Sequence, residues 1–230
     1  MPEVLTEERR KRLTREESRA QTRERLIDAA YRLFATEGIE PTSIDRITEH
    51  AGYSRGAFYS NFETKEDLLA AVVEREWRRS EAEFAALASD DHTPEQIVAG
   101  LRAYAIGSAT DREQCMFYLE LQMYGVRHPE ARAIVADLVQ RDTKVAGAFL
   151  DRLFAKCGVT NHPPSDQIVG GFIAMAQGLC MRQVVEQERM SPELLQGTLG
   201  LYFDSVIAAF LPELDSPRQA LQDRQATPAS

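Results

Sequence analysis

Residues 54 to 61 read Ser-Arg-Gly-Ala-Phe-Tyr-Ser-Asn, and at helical pitch the groups left facing outward are Ser54, Arg55, Gly56, Tyr59, Ser60 and Asn61. They are small or hydrogen-bonding, and the glycine lets another backbone approach closely. A generic exposed helical corner would carry more Glu and Lys. The chemistry this set suits is hydrogen bonding to base edges and phosphates in the major groove of DNA. Catalytic chemistry finds no comparable set. His50, His92, His128 and His162 are never at HExxH or other metal-ligand spacing, and no nucleophile motif, GxGxxG or P-loop occurs. Gly170-Gly171 lies inside an apolar helical pattern. The expectation is a protein that is not an enzyme, with no cofactor and no metal. Cys115, Cys157 and Cys180 form no CxxC pair and read as buried free thiols.

The elements that position residues 54–61 follow from periodicity and punctuation. Leu26, Ala30, Leu33 and Phe34 form an apolar stripe over about 21–37, which Gly38 ends. Thr42 and Asp45 form a T-x-x-D start signal for a short helix carrying Ile44, Ile47 and Ala51. Gly52 makes the tight connection to the helix at 54–61, and Ile44, Ile47, Ala51, Phe58 and Phe62 are spaced to form the core between the two. Thr64 to Asp67 opens a long helix over about 65–87. Beyond residue 90 the prolines after Thr93, His128 and Ser191, and the pair Pro163-Pro164 before Ser165, sit where first helical turns begin. Helices are placed at 94–109, 112–126, 129–157, 165–188 and 192–211. The fold class is all-α with about nine helices, and no segment has the period of a strand.

Charge is uneven. The chain of 230 residues carries −9 overall. Between Arg9 and Arg25, however, eight basic residues stand against three acidic ones, a balance of +5 that leaves −14 for the rest. A basic arm on an acidic body suits a protein that meets a polyanion with one end only. A solvated tail is the alternative. No apolar run reaches the ~18 residues of a membrane span and the N-terminus is polar, so a cytoplasmic protein with no membrane partner is expected.

The run from Gly38 through Ala51-Gly52-Tyr53-Ser54, Arg55 to Phe62 and Lys65-Glu66-Asp67-Leu68-Leu69 resembles the TetR family of bacterial transcriptional regulators. The match covers about residues 20–70. The resemblance implies a three-helix helix-turn-helix domain, a connecting fourth helix and a C-terminal bundle that dimerises and holds an effector. It further implies that Thr42 and Ser43 touch phosphates, that Arg55, Gly56 and Tyr59 lie in the major groove, and that Lys65 holds a phosphate. Tyr53 and the Ser60-Asn61 pair depart from the family pattern. The chain then divides into a basic arm at 1–19, a helix-turn-helix domain at 20–64, an effector-binding and dimerisation domain at 65–214 and a disordered tail at 215–230.

In the C-terminal part, Gly171, Ala174, Met175 and Gly178 on one helix, with Thr198, Leu201, Tyr202 and Ser205 on the next, offer either internal core or a two-fold interface between copies. Trp77, Phe84, Tyr104, Phe117, Tyr118, Gln122, Met123 and Met175 are the candidates for an effector pocket, with plain core as the competing reading. The expected function is a ligand-responsive repressor that binds a palindromic operator of double-stranded DNA as a homodimer. A small amphipathic or hydrophobic effector of unidentified structure releases it. A DNA organiser without an effector is the alternative.

Overall fold

The computed structural model describes residues 14–87, 91–186 and 190–214. Most of the arm predicted at 1–19 and all of the tail at 215–230 lie outside the described residues. Among the described residues nine α-helices follow one another: α1 (Arg15–Glu37), α2 (Ile44–Ala51), α3 (Arg55–Tyr59), α4 (Lys65–Leu87), α5 (Pro94–Thr110), α6 (Arg112–Arg127), α7 (Pro129–Lys156), α8 (Ser165–Glu186) and α9 (Pro192–Phe210). A 3-10 turn, Pro212–Leu214, closes the described chain. There is no strand among the described residues.

Local chemistry sets the helix starts. Thr93 caps α5 in a reciprocal box with Gln96, and Pro94 fills the first turn. Thr64 and Asp67 exchange hydrogen bonds at 3.0 Å each at the start of α4. Helix α3 is shorter than the expected 54–61, several other ends shift by a residue, and two helix starts differ in their capping. Helix α1 begins at Arg15, earlier than its apolar stripe, because Thr14 and Glu17 form a capping box ahead of the first buried residue. Helix α2 is capped by Ser43 rather than Thr42, its hydroxyl accepting from the Arg46 N–H at 3.1 Å.

The core runs across the boundary between the N- and C-terminal parts. Leu26, Leu33 and Phe34 of α1 pack with Ile47 of α2, Phe58 of α3 and Leu68 of α4. Phe117, Leu121 and Tyr124 of α6 and Leu138 of α7 belong to the same cluster. A second cluster joins Phe84, Ile97, Phe149, Phe154, Phe203 and Ile207 from α4, α5, α7 and α9. Its flank carries a paired Arg102–Asp204 ion bridge between α5 and α9, at 2.8 and 3.1 Å. A third, smaller cluster holds Ala109, Ala176, Leu195 and Leu199.

Cys115 of α6 and Cys180 of α8 are joined as a disulfide with their Cα atoms 6.3 Å apart, which corrects the expectation of three free thiols. Two cysteines separated by 65 positions show no local spacing, and only the packing of α6 on α8 brings them together. Cys157 remains free, and burial pushes its thiol up from the ordinary range. Titration with a thiol reagent under denaturing conditions is expected to find one reactive group before reduction and three after it. Three before reduction would refute the cross-link.

Candidate nucleic-acid interface and internal cavity

Helices α2 and α3 are held at a fixed angle by a three-residue corner, Gly52 to Ser54. Gly52 takes the left-handed conformation at φ 73°, its N–H donates to the Glu49 carbonyl at 3.1 Å, and the Tyr53 N–H donates to the Thr48 carbonyl at 2.8 Å. A Cβ at Gly52 would meet nothing within 4 Å, so the backbone angle alone asks for glycine there. Ile47 and Phe58 are both fully buried beneath the corner, and the Phe58 and Phe62 rings lie 5.8 Å apart. Ile44 and Ala51 are only partly buried at its edge.

The outer face of α3 presents Arg55, Gly56 and Tyr59, all exposed. Arg55 pairs with Asp45 of α2 at 3.2 Å and reaches the Tyr59 hydroxyl at 3.4 Å. Both contacts, with the Tyr59 hydrogen bond the larger, raise the guanidinium's pKa. Tyr59 is 51% exposed. Ser43 and Ser54 are exposed, and their hydroxyls accept from the backbone N–H groups of Arg46 and Ala57. Ser60 donates to the Ala57 carbonyl at 2.8 Å, and so does the Asn61 amide.

Three of the residues predicted to touch DNA make hydrogen bonds within the protein. Thr42 is 1% exposed and its hydroxyl donates to the Gly38 carbonyl at 2.5 Å, so it braces the loop. The Lys65 ammonium donates to the carbonyls of Ile39, Glu40 and Thr42 at 2.9, 3.2 and 3.2 Å, which uses all three of its donors. Asn61 is turned toward α3 and its Oδ1 is buried. These three fix the loop and the end of α3 because backbone carbonyls close by satisfy them. The sequence reading missed the groups that cap α3 from outside it: Arg19 of α1 donates to the Ser60 carbonyl at 2.9 Å and Arg23 to that of Asn61 at 3.3 Å. Arg23 also lies 4.3 Å above the Phe62 ring. Their spacing of four along one helix face was the available signal.

A cavity of about 220 Å3 opens within the C-terminal helices, far more than a single water needs. It is walled by Ser80 and Phe84 of α4, Tyr104 and Ser108 of α5, Gln114 and Tyr118 of α6, Asp142 and Leu150 of α7, Phe172 and Gln177 of α8, and Tyr202 and Val206 of α9. Of the predicted pocket residues, Phe84, Tyr104 and Tyr118 line it. Trp77, Phe117, Gln122, Met123 and Met175 do not. Successive residues on a helix diverge by about 100°, so Phe117 turns into the core beside Tyr31 while Tyr118 turns into the cavity. Trp77 packs at the edge of the first core under Arg141, 5.2 Å from its guanidinium. Met123 is exposed, Gln122 half-buried, and Met175 packs with the third cluster.

The polar groups of the cavity are unevenly satisfied. Tyr104 and Ser80 share a hydrogen bond at 2.8 Å, and Tyr118 donates to Asp142 Oδ2 at 3.3 Å. Burial, and then the nearby Asp142 charge, raise the Tyr118 phenol. Burial pushes the Asp142 carboxyl up to about 6 against the pull of Tyr118. Asp142 Oδ1 is buried with no hydrogen-bond partner. No group of acidic residues, His or Cys able to hold a metal ion occurs among the described residues.

Comparison with known proteins matches residues 26–72 to bacterial regulatory proteins of the tetR family and residues 92–220 to the tetracyclin repressor-like C-terminal domain. The HTH-type transcriptional regulator AcrR of Shigella flexneri is 37% identical over 76 residues, 33% of each chain. The chain spans between 33% and 54% of the length of the first curated relatives it matches. Among solved structures, a putative TetR-family regulator from Rhodococcus sp. aligns with a TM-score of 0.69 at 19% identity, covering 81% of this chain and 98% of the other. SmeT, the repressor of the Stenotrophomonas maltophilia multidrug efflux pump SmeDEF, aligns with a TM-score of 0.61 at 25% identity, covering 82% and 89%. The two family models together span the helix-turn-helix corner and the cavity-bearing helices, and the chain belongs to the TetR family of bacterial transcriptional regulators, which are not enzymes.

Proposed function

We propose that this chain is a dimeric, cytoplasmic repressor that holds a palindromic operator with two copies of α3 and releases it when a small amphipathic or hydrophobic effector fills the cavity. The observation that carries the DNA reading is Gly56. It sits inside a five-residue helix, its φ is ordinary, and a Cβ there would meet only the Ser54 hydroxyl at an unstrained 3.7 Å. Nothing in the fold asks for glycine, which costs about 0.5–1 kcal/mol relative to alanine within a helix. Close approach of a partner backbone between Arg55 and Tyr59 accounts for it. Exposed Ser43 and Ser54 flank the same face and supply backbone-contacting hydroxyls.

Dimerisation rests on α8 and α9. Helix α8 is apolar and long enough by composition to cross a membrane, yet only Ser165, Ala176 and Cys180 of its residues are buried. Gly171, Ala174 and Gly178 are exposed along one of its faces, as are Leu201 and Ser205 of α9. An apolar surface of this kind calls for a partner, and a second copy gives the two recognition helices their spacing of about 34–36 Å or a multiple of it. Both α4 and α6 connect the cavity to the DNA-binding helices: α4 from Phe84 back to Lys65, α6 from Tyr118 to Glu120, which accepts the Ile39 N–H at 3.0 Å. An effector that prefers one setting of these helices must weaken DNA binding by the same factor that DNA weakens effector binding.

The test is fluorescence anisotropy with the palindrome beside the chain's own gene. Arg55→Ala and Tyr59→Ala are each expected to weaken binding by about 1–3 kcal/mol, roughly 5- to 150-fold, at unchanged stability. Stability is spared because both side chains are exposed and the Arg55–Asp45 pair is a surface one. Equal affinity of the wild type and both variants would refute the assignment of α3.

A further inference from the structure

We propose that the cavity selects an amphipathic cation, with an aryl or alkyl body among its apolar walls and one protonated amine or quaternary ammonium centre against Asp142. The inference rests on reading the cavity as the effector site and adds the charge of its occupant. Asp142 is the only Asp, Glu, Lys, Arg or His among the residues that line it. Its Oδ2 is served by Tyr118, whereas Oδ1 is buried and faces no donor. A buried, half-served carboxylate is costly and is retained where something else completes it.

Arg141 and Tyr104 are engaged elsewhere. Arg141, next in the chain, is directed away and pairs with Glu74 at 3.2 Å and Asp137 at 2.6 Å while covering Trp77. Tyr104 is already joined to Ser80. Burial holds the carboxyl near 6, so the site carries its negative charge at neutral pH with no cation beside it. A cationic head supplies the missing partner, and the Tyr104 and Phe84 rings, 4.7 Å apart, line the same cavity with faces that attract positive charge. A carboxylate ligand would set like charge against Asp142, and a neutral one could donate a hydrogen bond to Oδ1 but would leave its charge unbalanced.

The test uses one hydrocarbon body with three head groups: phenylbutylamine, phenylbutanol and phenylbutyrate. Each is titrated by calorimetry into the full-length protein at about pH 8, where Asp142 is ionised. The amine is expected to bind about tenfold or more tightly than the alcohol, and the butyrate weakest of the three. In Asp142→Asn, with its fold checked by circular dichroism, amine affinity is expected to fall to that of the alcohol, whose own affinity is unchanged. Equal binding of all three by the wild type overturns the charge selection and leaves the effector cavity standing, and an amine preference that survives in Asp142→Asn overturns the assignment of that selection to Asp142. Binding of none by protein that still takes up its operator overturns both the inference and the cavity reading. The comparison within the wild type needs no variant to fold.

Discussion

Phe117→Ala is expected to lower unfolding stability by about 3–5 kcal/mol, the range for deleting a fully buried aromatic ring. Phe117 has no exposed surface, and its ring centroid lies 4.9 Å from that of Tyr31 at the seam where α6 meets α1. Leu121 and Tyr124 continue the same seam one and two turns on. The cavity left by alanine cannot collapse easily, because Leu26, Ala30 and Phe34 of α1 are themselves fully buried against neighbouring helices. For a chain of this size each kcal/mol moves the thermal midpoint by about 2–4 °C, so a drop of roughly 10 °C is expected by circular dichroism. The seam also ties the DNA-binding helices to the helix that carries Tyr118, so operator affinity should fall with it while ligand affinity at the cavity changes little. A midpoint within 2–3 °C of the wild type, roughly one kcal/mol, would mean that the seam is not packed as described.

Much of this arrangement is legible in the sequence because it is written in local chemistry. Capping residues and first-turn prolines set α5, α7 and α9, and the glycine at 52 with flanking apolar residues sets the α2–α3 corner. What escapes a linear reading depends on which of several nearby groups captures a polar side chain. Thr42 and Ser43 are neighbours, and either hydroxyl can cap α2; the buried setting of Thr42 beside Gly38 leaves the cap to Ser43. Lys65 reads as a phosphate ligand, and nothing in the sequence signals the three carbonyls of the loop between α1 and α2 to which it donates. The cavity escapes for a different reason. Aromatic side chains at helical spacing mark buried faces, but not which of two buried faces has a void, and so Phe117 and Trp77 look no different from Tyr118 and Phe84 in the sequence. Helix α7 carries a sharper signal. Ala131, Val135, Leu138, Phe149 and Leu153 form the buried stripe of α7, and Asp142 falls on that stripe. A carboxylate at a core-facing position is the stronger sign of a site than the rings around it.

Leu201→Glu is expected to abolish the dimer at micromolar concentration and, with it, high-affinity operator binding. Leu201 is 70% exposed in the protomer, so a charge placed there alone shifts stability by no more than about 0.5 kcal/mol. Other apolar side chains of α8 and α9 are also uncovered, with Val185 75%, Leu194 52% and Met181 49% exposed. In a two-fold interface each residue enters twice, once from each copy, so two carboxylates would be buried in an apolar contact with no basic partner supplied. Such a charge costs on the order of 3–5 kcal/mol, which weakens association roughly 100- to 1,000-fold or more. Leu201 is a cleaner position than Gly171 on this face. A Cβ at Gly171 would lie 2.9 Å from the Tyr202 hydroxyl, so substitution there disturbs packing within the protomer as well. Sedimentation velocity over a concentration series reads the mass, and thermal unfolding reads the protomer. Loss of the dimer at an otherwise native fold assigns the α8–α9 face, because nothing inside the protomer depends on the Leu201 side chain. A variant that keeps both the wild-type mass and the wild-type operator affinity would place the interface on other helices.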